Sequence, residues 1–552
     1  MMTRFSFLLA LLVFSASVSV SAQDSGDLKY WVFFTQKDDV AGKTVPIEPR
    51  ALVRRARRAS LVPAGLDTPV SEEFVAQVAA LGGEPLVRSR WFNAVSAWMS
   101  SSEAEAAAAL PYVKSIKLVG VSRGVASFEE GQRPFGPVQP PGPNTYRLDY
   151  GASFTQLDVV NAIPGLEAGL SGAGVMLGII DTGAGTITHP ALTHITNSGR
   201  LKGQENFTGQ PDDFHRHALS VLSVAAGFAE GTLIGPAHGA DILMARTEYT
   251  PTETNQEEDN FVAGMEWLES MGADVVNCSL GYSEFDPGQT DYVYADLDGD
   301  TAITTRAADL AASLGVIFVN SAGNEGNGSW FFITSPADAD SIIAVGSVTD
   351  TRIRSTFSGH GPSADGRIKP DVSAMGSGVT IASGSGYSFG GNGTSFSSPM
   401  VAGIVAQMLE VNAALGPIDV REILWTTSSL AGNPNNNIGY GIVDAEAALA
   451  AAAIWGVDVE EEVPTTAELR ATAYPNPAAG PVWIELAMPA AGDASVVVFD
   501  LLGRRVSTAA WSNLYSGVHR LELPLPNGAS GWYGFRVAAG QSVAHGSVSV
   551  VR

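Results

Sequence analysis

Residues 393–399 read GTSFSSP, and the chain continues as MVAGIVAQMLEVNAAL, in which apolar residues recur with the period of a helix. Pro399 is expected in the first turn of this helix, where a missing N–H group costs little. Ser395 is therefore predicted at a helix N-terminus. There the helix dipole and free N–H groups favour the negative charge that develops when a hydroxyl attacks a carbonyl. A serine-rich helix cap without chemistry is the alternative, and the rest of the chain decides between them.

Short apolar runs alternate with helical patterns between about residues 150 and 455. This alternation predicts a parallel β-sheet with helices on both faces, and such sheets bind ligands at the carboxyl ends of their strands. Asp181 follows one apolar run and Asn324 follows another, so both are expected at that edge. The runs are VMLGII, DILMAR, DVVNCSL, VIFVN and SIIAVGSV.

Three motifs accompany Ser395: IIDTG with Asp181, HALSVLSVAAG with His217 at its start, and SAGNEG with Asn324. A serine hydroxyl is a weak nucleophile at pH 7 and needs an adjacent base, a role that histidine can fill. A carboxylate on the other ring nitrogen orients the histidine and stabilises the imidazolium. An amide aimed at the developing oxyanion supplies further stabilisation.

The order of these four residues, and the motifs around them, resemble the subtilisin-like (subtilase, peptidase S8) serine proteases over about residues 150–455. DTGAGTITHP is similar to the family's Asp motif, and FSGHGPSADGRIKPDVSAMG before GTSFSSP is highly specific. The resemblance implies the subtilisin-like α/β fold and an endopeptidase that cleaves polypeptides through an acyl-enzyme, without an organic cofactor. It also implies two substrate-binding stretches, the first expected to pair with substrate as a strand: Ser279, Leu280 and Gly281, and Ser321, Ala322 and Gly323.

One motif departs from the family pattern, because Ala218 and Leu219 stand where Gly and Thr normally follow the histidine. The register of VLSVAAG still favours His217, with His215 as the rival. The departure leaves open a catalytically weakened, protease-like binding or adhesion protein. His189 and His360 are interpreted as structural or loop residues.

DYVYADLDGD places Asp296, Asp298 and Asp300 at alternate positions. Hard oxygen ligands in such a cluster suit calcium, although the distal Glu of the helix-loop-helix calcium motif is missing. Two interpretations of this segment therefore remain: a structural calcium site and a solvated acidic turn.

The chain begins with a signal-peptide pattern: Arg4, an apolar run to Val20 and a small-residue cleavage site before Gln23. Residues 28–120 follow with a small α+β pattern that resembles a subtilase propeptide. These residues include 12 Lys and Arg and 9 Asp and Glu. The rest of the chain contains 20 Lys and Arg and 48 Asp and Glu, so it is strongly acidic. An independent N-terminal domain is the alternative.

After the Ser395 helix, β-type segments with turn signals predict a small sandwich. Four segments resemble the C-terminal sorting domains of type IX secretion: AYPNP, VVVFDLLGRRV, LYSGVH and GWYGFRV. The resemblance implies contact with the secretion machinery, and a carbohydrate-binding or adhesive sandwich is the alternative. We therefore predict a signal peptide 1–22, propeptide 23–125, linker 126–147, peptidase domain 148–455, linker 456–468 and sorting domain 469–552.

Composition limits the remaining possibilities. A net charge of -25 argues against nucleic acid and anionic membranes as partners. The single Cys278 excludes an intrachain disulfide and, within its apolar run, is interpreted as a small buried residue. No later run has the length of a membrane span, so we expect an exported protein, released or attached at the cell surface.

Overall fold

The structure is a computed structural model, and by its contacts the chain divides into two units after Trp455. The predicted signal peptide and nearly all of both predicted linkers lie outside the described residues. Within the described residues, no helix is long and apolar enough to cross a membrane. These residues are 28–37, 44–58, 60, 62–120, 146–456, 469–476, 478, 480–500, 504–525, 531–540 and 542–550.

Residues 28–120 form a small α+β domain, as the sequence predicts. Its elements are β1 (Leu28–Phe34), α1 (Pro49–Arg57), α2 (Glu72–Ala80), β2 (Glu84–Ser89), β3 (Ala94–Met99), α3 (Ser101–Ala108) and β4 (Val113–Gly120). The strands form an antiparallel sheet in the order β2-β3-β1-β4. Ser100 and Glu103 begin α3 with a reciprocal capping box.

Residues 146–455 form the large domain, which also contains two 3₁₀ turns, Gly151–Ser153 and Tyr294–Asp296. Its helices are α4 (Phe154–Val159), α5 (Ile163–Glu167), α6 (Thr193–Asn197), α7 (Arg216–Ala226), α8 (Asn255–Ser270), α9 (Ile303–Ser313), α10 (Thr394–Val411), α11 (Pro417–Thr427) and α12 (Ala445–Ile454). Its strands are β5 (Met176–Asp181), β6 (Gly183–Ala184), β7 (Leu201–Asn206), β8 (Asp213–Phe214), β9 (Phe228–Ala229), β10 (Leu233–Ile234), β11 (Asp241–Arg246), β12 (Val275–Cys278), β13 (Ile317–Ser321), β14 (Ile343–Val348), β15 (Val372–Met375), β16 (Ser377–Ser383) and β17 (Gly386–Asn392).

The centre of this domain is a seven-stranded parallel sheet in the order β15-β14-β13-β12-β5-β11-β7. Alternate residues of each central strand point to opposite faces, so Ile179 packs with α7 and α10, and Ile180 packs with α8 and α9. Both faces are covered, which explains why β5, β12 and β13 are buried along their whole length. The predicted α/β class is confirmed.

Helix α10 begins earlier than the sequence predicts. It starts at Thr394, so Pro399 lies in its second turn rather than its first. A proline there has no N–H for the carbonyl four residues before it, which belongs to Ser395. The Ser279 hydroxyl donates to that carbonyl at 2.9 Å and replaces the missing bond.

The second unit is all-β, as predicted, and two antiparallel sheets share one apolar core. The sheet orders are β18-β19-β22 and β21-β20-β23-β24. The strands are β18 (Arg470–Tyr474), β19 (Trp483–Met488), β20 (Gly492–Phe499), β21 (Arg505–Leu514), β22 (Gly517–Glu522), β23 (Gly531–Ala539) and β24 (Ser542–Val550).

Candidate active site

Asp181 is the last residue of β5, at the carboxyl edge of the sheet, and is fully buried. Its Oδ1 accepts from Nδ1 of His217 at 2.8 Å and from the backbone N–H of Thr182 at 2.7 Å. The Thr182 hydroxyl donates to the same oxygen at 3.0 Å. Because an ionised carboxylate only accepts, His217 carries its proton on Nδ1, which leaves Nε2 as the basic nitrogen.

His217 is the second residue of α7, and His215 is the residue that caps this helix. Nδ1 of His215 accepts from the backbone N–H of His217 at 3.2 Å. The cap fixes the first turn of the helix and therefore the direction of the His217 side chain. The two histidines thus have different partners, and His217 is the one that contacts the buried carboxylate.

Ser395 is the second residue of α10, directly after the N-cap residue Gly393 and Thr394. Its Oγ donates to the carbonyl of Ser279 at 3.3 Å. The ring of the next residue, Phe396, lies 6.3 Å from the His217 ring, measured between centroids. The N-termini of α7 and α10 therefore meet at the same edge of the sheet as Asp181.

Asn324 follows β13 and is held beside Ser395 through its oxygen. Its Oδ1 accepts from the backbone N–H of Thr394 at 2.9 Å and from the Thr394 hydroxyl at 3.0 Å. Two donors on Oδ1 fix the orientation of the amide, so its NH₂ group points away from them. These bonds fix Asn324 to Thr394, the residue directly before Ser395.

One predicted substrate-binding stretch follows β12, and the other begins with Ser321, the last residue of the neighbouring strand β13. The Ser321 hydroxyl donates to the carbonyl of Leu280 at 3.4 Å and links the two stretches, and Asn320 Nδ2 donates to the same carbonyl at 3.3 Å. Sequence reasoning missed Thr334 between them. A Cβ built on Gly281 would lie 2.0 Å from Thr334 Oγ1, and one on Gly323 would lie 3.0 Å from it. Among the described residues, this buried hydroxyl has no hydrogen-bond partner.

Comparison with known proteins identifies the family. A family model described as "Subtilase family" matches residues 172–441. Subtilisin DY of Bacillus licheniformis is 31% identical over 303 residues, which are 54% of this chain and 98% of that protein. The chain belongs to the subtilase family.

Two further similarities agree with this result. Subtilisin Savinase of Lederbergia lenta is 29% identical over 51% of this chain and 92% of its own length. The crystal structure of the epidermin leader peptide processing serine protease from Staphylococcus aureus, in a Ser-to-Ala form, has a TM-score of 0.52 and 16% identity. It covers 77% of this chain and 99% of its own, and at that identity it supports the fold alone. As a subtilase, the protein is a serine-type peptidase.

The flanking domains also match known families. A model described as "Peptidase S8 propeptide domain, Bacteroidota" matches residues 29–131, and "Secretion system C-terminal sorting domain" matches residues 472–550. This subtilase therefore carries a propeptide and a sorting domain, and the sorting domain indicates export.

The departure from the subtilase histidine motif leaves the helix intact. Ala218 and Leu219 are buried in the apolar core between α7 and the sheet. Ser220, one residue further, donates to the carbonyl of Ala382 at 2.8 Å and fixes α7 against β16. His189 and His360 make structural contacts instead, with the carbonyl of Gly386 and the side chain of Asn437.

Two of the three aspartates proposed for calcium accept local hydrogen bonds through their carboxylates. Asp298 accepts from the N–H groups of Asp300 and Thr301 and from the Thr301 hydroxyl, and Asp296 accepts from the N–H of Val293. Within the described part of the chain, no group of three or more acidic, His or Cys side chains is arranged to hold a metal. The residues do not fit a three-carboxylate site, and calcium binding stays a prediction.

Burial is the main cause of the pKa shifts of two side chains near Asp181, those of Glu248 and Cys278. Glu248 accepts from the Tyr282 hydroxyl at 2.6 Å, and burial raises the pKa of Glu248 to about 7, with the Asp181 charge adding to the effect. Burial also raises the pKa of the Cys278 thiol well above its ordinary value. A thiol in this environment stays protonated, in keeping with a packing role for Cys278.

Proposed function

We propose that the protein is a secreted endopeptidase that hydrolyses peptide bonds of polypeptide substrates, with Asp181, His217 and Ser395 as its catalytic triad. The observation that carries this proposal is the 2.8 Å contact between His217 and buried Asp181, at the edge of the sheet where α10 begins. The subtilase relatives support the reaction class.

In the first half of the reaction, the Ser395 oxygen attacks the carbonyl carbon of the scissile bond, and His217 Nε2 takes its proton. The resulting imidazolium is stabilised by Asp181 and gives the proton to the leaving amine, which releases one product and leaves an acyl-enzyme. In the second half, His217 takes a proton from a water molecule, whose oxygen attacks the ester carbon. The imidazolium then gives this proton to the Ser395 oxygen as the ester bond breaks, which releases the acid and restores the enzyme.

The oxyanion that forms in both halves needs donors already in place. The Asn324 NH₂ group and the backbone N–H of Ser395 fill this role, aided by the dipole of α10. The double hydrogen bond from Thr394 to Asn324 supports this assignment, because it orients the amide before substrate binds.

The substrate backbone adds as a strand along Ser279, Leu280 and Gly281, with Ser321, Ala322 and Gly323 on the other side. The side chain before the scissile bond then lies between the two stretches, where Thr334 limits the space. The described contacts weaken the alternative of an inactive adhesion protein, because the departure at Ala218 and Leu219 leaves the His217–Asp181 contact in place.

Export completes the proposal. Residues 1–22 act as a signal peptide, the sorting domain engages the secretion machinery, and the propeptide inhibits the enzyme until it is removed. The product is then extracellular or attached to the cell surface.

Peptide hydrolysis by Ser395→Ala tests the proposed reaction. We expect no turnover with unchanged thermal unfolding, because the acyl-enzyme requires that oxygen. Ser397→Ala is the matched control: it lies on the same helix, and its buried hydroxyl has no partner among the described residues. Activity in Ser395→Ala equal to that of the control would refute the assignment.

A further inference from the structure

Helix α1 has an unusual distribution of side chains. In the sequence this helix comes between β1 and α2, and its residues are PRALVRRAR. Leu52 and Val53 are 51% and 53% exposed, whereas Arg54 and Arg55 are 1% and 5% exposed. Surface helices normally bury their large apolar residues, whereas the buried face of this helix consists of the small Ala51 and two arginines.

The buried arginines contact the ends of two helices of the large domain. Arg54 donates to the carbonyl of Ala273 at 2.6 Å, after the end of α8, and to that of Leu314 at 3.4 Å, after the end of α9. Arg58 donates to the carbonyl of Gly315. Helix C-termini carry unpaired carbonyls and partial negative charge, so cationic donors suit both ends.

Two carboxylates join this helix to the rest of its domain: Asp67 of the same domain pairs with Arg55 at 2.7 Å, and Glu269 of the large domain is shared with Arg90. Glu269, fully buried near the end of α8, pairs with Arg54, with Arg55 at 2.8 Å and with Arg90 at 3.2 Å. Arg90 also pairs with Glu266 at 2.9 Å. A buried carboxylate without such partners would be strongly unfavourable, so these arginines and glutamates depend on each other while the domains are in contact.

We propose that α1, assisted by Arg90, anchors the propeptide to the peptidase domain after the connection between them is cut. The surface beneath it is the receptor surface, formed by Glu266, Glu269, Asp274 and the terminal carbonyls of α8 and α9. Its occupant is the arginine-bearing helix of this same chain, residues 49–58. This inference rests on the proposed function in assigning residues 28–120 as a removable inhibitor, and it names the contacts that hold the inhibitor in place.

The anchor is tested in a catalytically silent complex. A thrombin site is placed between residues 126 and 145 of full-length Ser395→Ala, the chain is nicked, and release of residues 28–120 is followed by gel filtration over time. We expect release from the variant that also carries R54M and R55M to be at least about thirtyfold faster than from the unmodified complex, because truncating a buried charge pair mainly raises the dissociation rate.

Arg57→Met is the matched control, since Arg57 lies on the same helix with an exposed side chain. Its release rate should stay within about twofold of the unmodified complex. If R54M/R55M releases the propeptide at the rate of the control, α1 is not the anchor. Because the complex has no catalytic serine, this outcome is independent of whether the proposed peptidase reaction is correct.

A second measurement needs no substitution in the interface, so it applies even if R54M/R55M folds poorly. Amide hydrogen exchange is compared in the nicked complex before and after removal of residues 28–120. We expect faster exchange in the last turns of α8 and α9 after removal, with α10 unchanged. Equal exchange before and after removal would show that α1 does not hold these helix ends, and would overturn the proposal.

Discussion

Two neighbouring histidines at the start of α7 have different hydrogen-bond partners. His217 donates to Asp181 through Nδ1, whereas Nδ1 of His215 accepts from the backbone of His217. The contact with the buried carboxylate is the feature that a general base requires. A cap alone contributes about 0.5–2 kcal/mol to helix stability.

His217→Ala should therefore lower the turnover of a peptide substrate as severely as Ser395→Ala, because residues that act as a unit lose their function together. His215→Ala should lower turnover less than about tenfold, since it removes a cap. Steady-state kinetics of the two purified variants decide the assignment. The opposite order of effects would identify His215 as the base.

Glu248 gives the folded protein a specific dependence on pH. Its pKa rises from an ordinary value of 4.5 to about 7 because the side chain is buried, while bonds from Tyr282 and Thr247 oppose the rise. The folded state therefore binds this proton more tightly than the unfolded state. The stability it contributes is complete below pH 4.5 and is lost as the pH rises through about 7.

Glu248→Gln keeps the size and an acceptor for Tyr282 but removes the charge. We expect its melting temperature to exceed that of the unmodified protein at pH 8, and the difference to shrink towards pH 5. Glu230→Gln, at an exposed position, should show no such trend. A difference that is constant over this pH range would contradict the account of Glu248.

Among the elements, α10 shows how a helix interior can accept a proline. Pro399 leaves the Ser395 carbonyl without its usual helical donor, and Ser279 supplies a hydroxyl in its place. Asn277 donates to Ser279 Oγ at 3.1 Å and accepts from Ser398 at 2.7 Å, so the end of β12 fixes the first turns of α10. The position of Ser395 therefore depends on a strand more than 100 residues earlier.

Ser279→Ala should lower the free energy of unfolding by about 1–3 kcal/mol, because a buried carbonyl loses its donor. Adding Pro399→Ala should restore part of that loss, since the new N–H can bond the Ser395 carbonyl. A double-mutant cycle by denaturant unfolding measures the coupling, which we expect to exceed about 0.5 kcal/mol. Simple additivity of the two changes would contradict this role for Ser279.

Sequence reasoning succeeded where the physical signal is local. Buried strands such as β5 and β13 are continuous apolar runs, and the motif IIDTG placed Asp181 at the end of its strand, where the structure has it. Strands β2 and β7 were missed because both are edge strands: Pro85 interrupts the first, and the second is the largely polar LKGQEN.

The contacts that were missed join distant segments. Nothing local in the basic sequence of α1 indicates that Arg54 is buried against Glu269, 215 residues away. Thr334 likewise reaches Gly281 and Gly323 only through the fold. Such contacts depend on tertiary structure, and the spacing of apolar residues along the sequence does not indicate them.

At the scale of the whole molecule, residues 28–120 carry a net positive charge and the rest of the chain a net negative charge. This difference favours association of the propeptide with the peptidase domain. Salt screens such long-range attraction, but it acts weakly on the buried pairs of Arg54 and Arg90. Raising NaCl from about 0.01 to 1 M, over which the Debye length falls from about 30 to 3 Å, should slow association of the propeptide and change its dissociation rate little. Stopped-flow measurements on the nicked Ser395→Ala complex separate the two rates, and a dissociation rate that rises steeply with salt would contradict burial of these pairs.

Maturation follows from the same arrangement. We expect the enzyme to cut its own chain between about residues 120 and 147, a Pro- and Gly-rich stretch, and N-terminal sequencing of active enzyme should begin within or just after it. Ser395→Ala, expressed alone in a protease-deficient host, should remain uncut. Normal processing of that variant would exclude self-cleavage.

Covalent labelling tests the central claim, that Ser395 is a nucleophile activated by His217. Processed, folded enzyme is treated with a fluorophosphonate, and the modified residue is located by mass spectrometry of peptides. We predict one label on Ser395, and its loss in His217→Ala but not in His215→Ala. A folded, processed enzyme that takes no label, or takes it on another serine, would contradict the account.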